Sequence, residues 1–326
     1  MNARVCRTTC PYCGVGCGVL AEHDGQGGVK ISGDPAHPAN LGRLCVKGSA
    51  LGETLDLKGR LLWPLVEGRR VSWEQALDTV AERLLATMQQ HGPQSVAFYG
   101  SGQLLTEDYY VANKLMKGFI GVANMDTNSR LCMASAVIGY KRGLGADAVP
   151  CSYEDIELAD VVVLVGSNTA WAHPVVYQRL VQAKQQRPQM QVVVIDPRRT
   201  ATCDIADLHL PLQPGSDAGL FNGLQWIAQD PRIDRTELAE RFSGVEEALE
   251  SAQAWSVAQV AEFCQLDETD IARFYHLFSM SDKVVTLYSQ GVNQSSSGSD
   301  KCNAIINAHL LSGKIGVSGS GPFSIT

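Results

Sequence analysis

V-V-V-L-V-G-S-N at residues 161–168 is an unbroken apolar run closed by a glycine and two small polar residues. A run without alternation suits a strand covered on both faces, as in a parallel sheet between helices. His173-Pro174 then starts a helix, and Pro188 lies just beyond its end. Gln191–Ile195 is the next apolar run, followed by D-P-R-R-T at 196–200. Leu208–Leu212 alternates as a shorter strand. P-G-S-D at 214–217 leads into a helix with Leu220, Phe221, Leu224 and Ile227 on one face. Strand, polar loop and helix repeated in this way predict an α/β fold with a doubly wound parallel sheet, whose carboxyl edge is where nucleotides bind. Neither G-x-G-x-x-G nor G-x-x-x-x-G-K-[ST] occurs, so an ordinary dinucleotide fold and a phosphate-loop NTPase are both excluded. An acid after a strand, such as Asp196 or Asp217, accepts from a ribose or a guanine edge, but Ser216 and Asp217 serve equally as helix caps.

Working outward, Ser72 opens a helix with Gln75 placed for a capping box. Ala76, Leu77, Val80, Ala81, Leu84, Leu85 and Met88 recur at helical spacing and predict one buried face, which Gly92-Pro93 ends. Val96–Tyr99 reads as a short buried strand, G-S-G-Q at 100–103 as its loop, and 107–118 as a second helix. Residues 231–280 read as amphipathic helices with Trp255, Phe263, Phe274, Tyr275 and Phe278 in the core. Val284–Tyr288 is another strand. It opens into S-Q-G-V-N-Q-S-S-S-G at 289–298, then a helix through Ala308–Leu311. These elements predict three domains: 1–65, then 66–148 together with 284–326, and 149–283.

The first fifty residues carry a different signal. C-P-Y-C-G-V-G-C at 10–17 places three thiols in eight residues, and L-C-V-K-G at 44–48 adds a fourth with Lys47 two positions behind it. Gly14, Gly16 and Gly18 let the backbone wrap tightly enough to aim Cys10, Cys13 and Cys17 at one centre, with Cys45 closing the set. Zinc ribbons use two separate C-x2-C knuckles. Three plus one favours a [4Fe–4S] cluster. Cys6 fits no ligand spacing and reads as a spare thiol. In N-S-R-L-C-M-A-S-A-V at 128–137, Cys132 precedes a predicted helix whose amino-terminal end favours thiolate. By spacing alone a small buried hydrophobe is the better explanation of it.

C-P-Y-C-G-V-G-C, G-D-P-A-H-P-A-N at 33–40 and L-C-V-K-G resemble the amino terminus of the molybdopterin oxidoreductases, which include bacterial nitrate reductases and formate dehydrogenases. The resemblance implies a [4Fe–4S] cluster on Cys10, Cys13, Cys17 and Cys45, with Lys47 between cluster and pterin on the electron path. It implies that Cys132 ligates the molybdenum of a bis(molybdopterin guanine dinucleotide) cofactor. Met133 follows Cys132 where formate dehydrogenases of the family usually have histidine, which is the nitrate reductase pattern. Gly166, Ser167, Asn168, Asp196, Arg198, Thr200, Gly215, Ser216 and Asp217 then match the family's guanine dinucleotide contacts. Gln103, Asn128, Gln290 and Gln294 match pterin and active-site contacts. Glutamine at 290 resembles assimilatory relatives better than dissimilatory ones, several of which carry methionine there. Arg130 stands where it attracts an anion or makes a structural salt bridge, and His173 caps or packs. The implied activity is assimilatory nitrate reduction by oxygen-atom transfer to molybdenum, with electrons from the cluster. The donor is ferredoxin, flavodoxin or a nicotinamide-dependent flavoprotein. The alternatives are a formate dehydrogenase and a non-catalytic iron–sulfur subunit. Family chains continue well past residue 326, so an incomplete chain is expected.

Composition agrees. The 326 residues are long enough for several domains, and a formal net charge of −7 gives no support for nucleic-acid or anionic-membrane binding. No apolar run spans a bilayer. With no apolar signal core or twin-arginine leader in the first residues, a cytoplasmic location is expected. Ten cysteines are then expected to serve metal and redox chemistry more than disulfides.

Overall fold

The computed structural model describes every residue except 1–4, 24, 26–27, 103, 230, 232 and 234. The chain divides into two compact units, residues 1–50 with 132–326, and Leu51–Leu131.

In the larger unit, β1 (Val5–Thr9), β2 (Gly18–His23) and β3 (Val29–Gly33) form an antiparallel sheet in sequential order. The loop with three cysteines is the β1–β2 connection. It is pinched shut by the Cys10 N–H donating to the Cys17 carbonyl at 2.8 Å. Gly16 makes that turn at φ +67°.

The smaller unit holds the hairpin β4 (Leu65–Val66) and β5 (Arg69–Arg70), and the parallel pair β6 (Phe98–Gly100) and β7 (Met125–Thr127). The helix Trp73–His91 begins with the expected capping box. Gln75 N–H donates to Ser72 Oγ, and Gln75 Oε1 accepts from the Ser72 N–H, both at 3.2 Å. Its predicted buried face is only partly covered. Leu84 and Met88 pack on the small core of Val96, Met116 and Val122, but Leu77, Val80 and Leu85 are more than half exposed. The periodicity is real. Among the described residues of this unit only the small core of Val96, Met116 and Val122 lies against it. Tyr99, read as part of a buried strand, is exposed, and of β6 only Gly100 is buried.

The main body is the five-stranded sheet of β8 (Val161–Val165), β9 (Gln191–Ile195), β10 (Leu208–Leu210), β11 (Val284–Tyr288) and β12 (Gly321–Ser324). All pairings are parallel, and the order is β10-β9-β8-β11-β12. Val161, Val163 and Val165 point into one core with Leu220, Phe221, Phe274, Phe278 and Ile305 from the helices on that face. Alternate side chains of each strand face opposite layers. Because both layers are covered, β8 is buried at every position, as its unbroken apolar run requires.

Val284–Tyr288, grouped by the sequence reading with 66–148, instead pairs directly with Val161–Val165 in the sheet of the 149–283 segment. Periodicity identifies a buried strand but not its neighbour. Among the predicted core aromatics, Phe274, Tyr275 and Phe278 are fully buried. Phe263 is 48% exposed, with an edge contact to Trp255 at 5.1 Å. Among the described residues no helix is long and apolar enough to cross a membrane.

Candidate active site

The cluster loop brings its four cysteines together. Cys10 and Cys17 are buried, and Cys13 and Cys45 half-buried. Cys45 directly precedes the short helix Val46–Ser49, which carries Lys47. The Cys17 thiol is pushed up to about 12, first by burial, then by the charges of Cys13, Cys10 and Cys45. The Cys10 thiol is raised chiefly by burial, against which Lys47 pulls weakly down. Four thiolates this close repel one another until a cation supplies charge between them, so the donor set fits an iron–sulfur cluster. Among the described residues no three His, Cys, Asp or Glu side chains converge on one ion. A cubane seats each thiolate on its own iron. Cys6 is exposed on β1.

The second centre lies at the switch point of the sheet. From β8 the order runs one way through β9 and β10 and the other way through β11 and β12. A crevice opens where the loops diverge, at the carboxyl ends of the strands. Here it is a cleft of about 380 Å³. Its floor is a backbone contact between the loops after β8 and β11. Gly291 N–H donates to the Gly166 carbonyl at 3.0 Å. Gly166 has φ +53°, and a Cβ on it would stand 2.9 Å from Gly291 and Val292 backbone atoms. Only glycine fits both positions.

Of the residues matched to dinucleotide contacts, Gly166, Asn168, Asp196, Arg198, Gly215 and Asp217 line this cleft. Gln290 joins them from the β11 loop. Gly215, at φ +97° with nothing within 4 Å of where a Cβ would sit, leaves its backbone open to close approach. Asp196 is buried and accepts from the Arg198 N–H at 2.8 Å, so the D-P-R turn is fixed with the arginine outward. Ser167, Thr200 and Ser216 do not line the cleft. Ser167 Oγ lies 2.8 Å from Thr169 Oγ1, Thr200 Oγ1 accepts from the Thr202 N–H, and Ser216 Oγ donates to the Gln213 carbonyl. They shape the loops that do. A cleft of this size, with glycine backbone on two sides and a carboxylate on a third, fits a nucleotide arm.

Cys132 is the last residue of the short helix Ser129–Cys132, and Met133 follows it as the cap residue of the helix Ala134–Leu144. Cys132 is half-buried. Its Sγ accepts from Gln290 Nε2 at 3.1 Å and from Gln294 Nε2 at 3.5 Å. Both glutamines matched from the β11 loop thus converge on this sulfur. The same Gln290 Nε2 also donates to Thr326 Oγ1 at 2.7 Å.

Lys47, half-buried, acts electrostatically on His173 as well as on Cys10. His173 starts the helix Pro174–Gln186 with no side-chain cap bond, so it packs without capping. It is buried and its basicity is lowered, first by burial, against a bond to the Thr326 backbone that raises it, with Lys47 lowering it further. Its Nδ1 is a buried nitrogen with no protein partner among the described residues. An orphaned acceptor here suits a bound group that brings its own donor.

The remaining matched residues lie in the smaller unit. Asn128 Oδ1 accepts from the Gly102 N–H at 2.5 Å. Arg130 pairs with Asp126 one turn back, which holds that exposed carboxyl below its usual range. It therefore makes the structural salt bridge. Gln103 lies outside the described residues.

Three residues of the site escaped the sequence reading. Lys301, 2% exposed, pairs with the 8% exposed Asp217 at 2.7 Å beneath the cleft. Arg179, also 2% exposed, bonds Glu157 at 2.7 Å and the carbonyls of Pro38 and Ala39, tying the sheet domain to the turn behind the cluster. Asn293 stands behind Gln290. A lysine inside an apolar helix is a signal that was available. The arginine, whose partners are a carboxylate and two carbonyls distant in sequence, gave none.

A four-cysteine loop and a further cysteine beside a switch-point cleft mark an α/β protein of the cofactor-binding redox class. The chain belongs to the molybdopterin oxidoreductase family. The Molybdopterin oxidoreductase model matches residues 60–326, and the Molybdopterin oxidoreductase Fe4S4 domain matches residues 3–56. The family supplies the [4Fe–4S] cluster and molybdopterin as cofactors. Among curated relatives, the chain is 64% identical to a nitrate reductase of Klebsiella oxytoca, over 98% of this chain and 36% of that protein. It is 46% identical to a nitrate reductase of Shewanella frigidimarina, over 99% of this chain and 35% of that protein. Acetylene hydratase from Pelobacter acetylenicus shares the fold, with a TM-score of 0.80 at 24% identity, over 96% of this chain and 44% of that one. The chain therefore spans about a third of the length of the first two relatives.

Proposed function

We propose that this chain is the amino-terminal part of the catalytic subunit of a molybdenum-dependent assimilatory nitrate reductase. The observation that carries the reading is the Cys132 sulfur, held by the amides of Gln290 and Gln294 beside the switch-point cleft. The relatives that bear the name nitrate reductase support the choice of substrate. So does Met133, which replaces the histidine usual in the formate-oxidising branch. Gln290 supports the assimilatory branch.

In this reading Cys10, Cys13, Cys17 and Cys45 hold the cluster and Cys132 ligates molybdenum. Gly166, Asn168, Asp196, Arg198, Gly215 and Asp217 seat the guanine dinucleotide arms. The molybdenum cofactor, when bound, supplies the two-electron oxygen-transfer chemistry. The chain's own part is to hold that cofactor and the cluster in register, with Lys47 between them. Ferredoxin, flavodoxin or a nicotinamide-dependent flavoprotein supplies the electrons.

The full-length protein is to be assayed for iron and molybdenum, then with reduced viologen and nitrate beside formate and a dye acceptor. Both metals and nitrate reduction are expected. Formate oxidation without nitrate reduction overturns the assignment, and iron without molybdenum replaces it with an electron-transfer subunit.

A further inference from the structure

Behind Cys132 lies a second row of polar side chains. Gln290 and Asn293 begin and end one short helical turn, Gln290–Asn293, so their side chains fall on one side of it. Asn293 is 3% exposed. Its Nδ2 lies 3.4 Å from Gln290 Oε1 and 3.8 Å from Met133 Sδ, and its Oδ1 accepts from Cys302 Sγ at 3.3 Å. Cys302 is fully buried on the helix Gly298–Leu311.

The direction of each bond follows from the one behind it. The Cys302 thiol is pushed up to about 12, chiefly by burial, so it remains an S–H donor at neutral pH. Asn293 therefore turns its oxygen to Cys302 and its amino group to Gln290. Gln290 receives that donor on Oε1, which leaves only its NH2 face for Cys132 Sγ at 3.1 Å. Without Asn293 the Gln290 amide is held by Thr326 Oγ1, a hydroxyl that can accept from the amide nitrogen or donate to the amide oxygen, so a half-turn that presents oxygen to sulfur, a repulsive contact, is no longer opposed at Oε1.

We propose that Asn293 is a positioning residue for the metal-ligand cysteine, locking the Gln290 amide with its N–H on Cys132 Sγ and so setting how much charge that sulfur donates. The proposal rests on the reading of Cys132 as the molybdenum ligand. Hydrogen bonds to a ligating sulfur draw charge from it and raise the reduction potential of the metal, and outer partners of this kind are typically worth about 10–100-fold in activity or metal affinity.

The test uses the full-length holoenzyme and an EPR-monitored redox titration of molybdenum. Asn293→Leu removes the donor at similar volume. Asn293→Asp keeps the shape but offers an ionised acceptor, and it carries the test if the leucine variant fails to fold. Each is expected to lower the molybdenum potential in the same direction as Gln290→Leu. Each is also expected to reduce kcat by about 10-fold or more, with the cluster potential unchanged. In the Gln290→Leu background Asn293→Leu is expected to add little, because its route to the sulfur through Gln290 is gone. A full additional shift in that background, or an unmoved potential in both Asn293 variants, overturns the proposal. A full-length protein with iron but no molybdenum refutes the reading of Cys132 and the inference with it, and elemental analysis shows this before any variant is compared.

Discussion

Lys301→Met breaks a buried ion pair beneath the proposed nucleotide cleft. Lys301 Nζ lies 2.7 Å from Asp217 Oδ2, with the two side chains 2% and 8% exposed. Removing one partner of a buried pair leaves an uncompensated charge and costs about 3–5 kcal/mol. Asp217 is the first residue of the helix Asp217–Ile227, and the positive end of that helix returns up to about 1 kcal/mol to a carboxylate there. The net loss is roughly 2–4 kcal/mol, or a fall of roughly 4–16 °C in melting temperature for a domain of this size. The measurement is the melting temperature of full-length protein expressed without pterin, so that ligand binding does not contribute.

The decisive comparison is Asp217→Leu combined with Lys301→Met. Replacing both charges with apolar groups removes the orphan, so the double variant is expected to recover most of the lost stability. It is not expected to recover guanine nucleotide when pterin is restored, because Asp217 is a proposed contact. A double variant as unstable as the single one would refute the argument from the orphaned charge. So would a Lys301→Met protein that melts within 2 °C of the parent, a margin set at about half the smallest predicted shift.

Cys132→Ser is expected to lose molybdenum while the cluster absorption near ~400 nm persists; loss of both together would show that the two centres are not separate. Arg179→Met removes the donor to the part-buried Pro38 carbonyl, loosens Glu157 and orphans the buried Ala39 carbonyl, the last at about 1–3 kcal/mol. It is expected to speed release of iron to a chelator severalfold, and an unchanged rate counts against the tie. His309, fully buried against Thr286 Oγ1 at 2.8 Å, has its basicity pulled down to about 3 by burial and by Lys314. Below its ordinary value of 6.5 the unfolded chain takes up a proton that the folded chain refuses. Stability therefore falls with pH from there toward 3, by up to about 1.4 kcal/mol per pH unit. A His309→Gln variant is expected to show a shallower acid limb in melting temperature against pH, and an identical limb rejects this account.

The parallel sheet was legible because its strands are buried on both faces and its loops break at glycine, proline and aspartate. The unbroken run at 161–165 needs no partner to be recognised. Its pairing with Val284–Tyr288 was not legible, since more than a hundred residues intervene and nothing in either run selects the other. The helix Trp73–His91 shows the opposite failure. The stripe was read correctly, but a stripe states what has to be covered and not whether the chain in hand covers it. At the site, glycines and cysteines announced themselves by spacing. Asn293 stood in the quoted loop, yet its role depends on Cys302, whose thiol the fold brings behind it.

The two sulfur centres meet on one residue. Gly14, inside the cluster loop, donates its N–H to the Thr326 backbone oxygen at 2.9 Å, and a Cβ on Gly14 would stand 2.0 Å from that atom. Thr326 Oγ1 accepts from the same Gln290 nitrogen that bonds Cys132. The cysteine loop and Cys132 are thus joined by backbone contact, a single hydroxyl and one amide, all within one compact unit. Backbone contacts of this kind vary less than contacts between long side chains, which lose more conformational entropy when fixed. On the proposed reading, that is what an electron path between cluster and molybdenum requires of the protein. On that reading the fold would fix the two cofactors, and the long, adaptable side chain of Lys47 would be left to place charge between them.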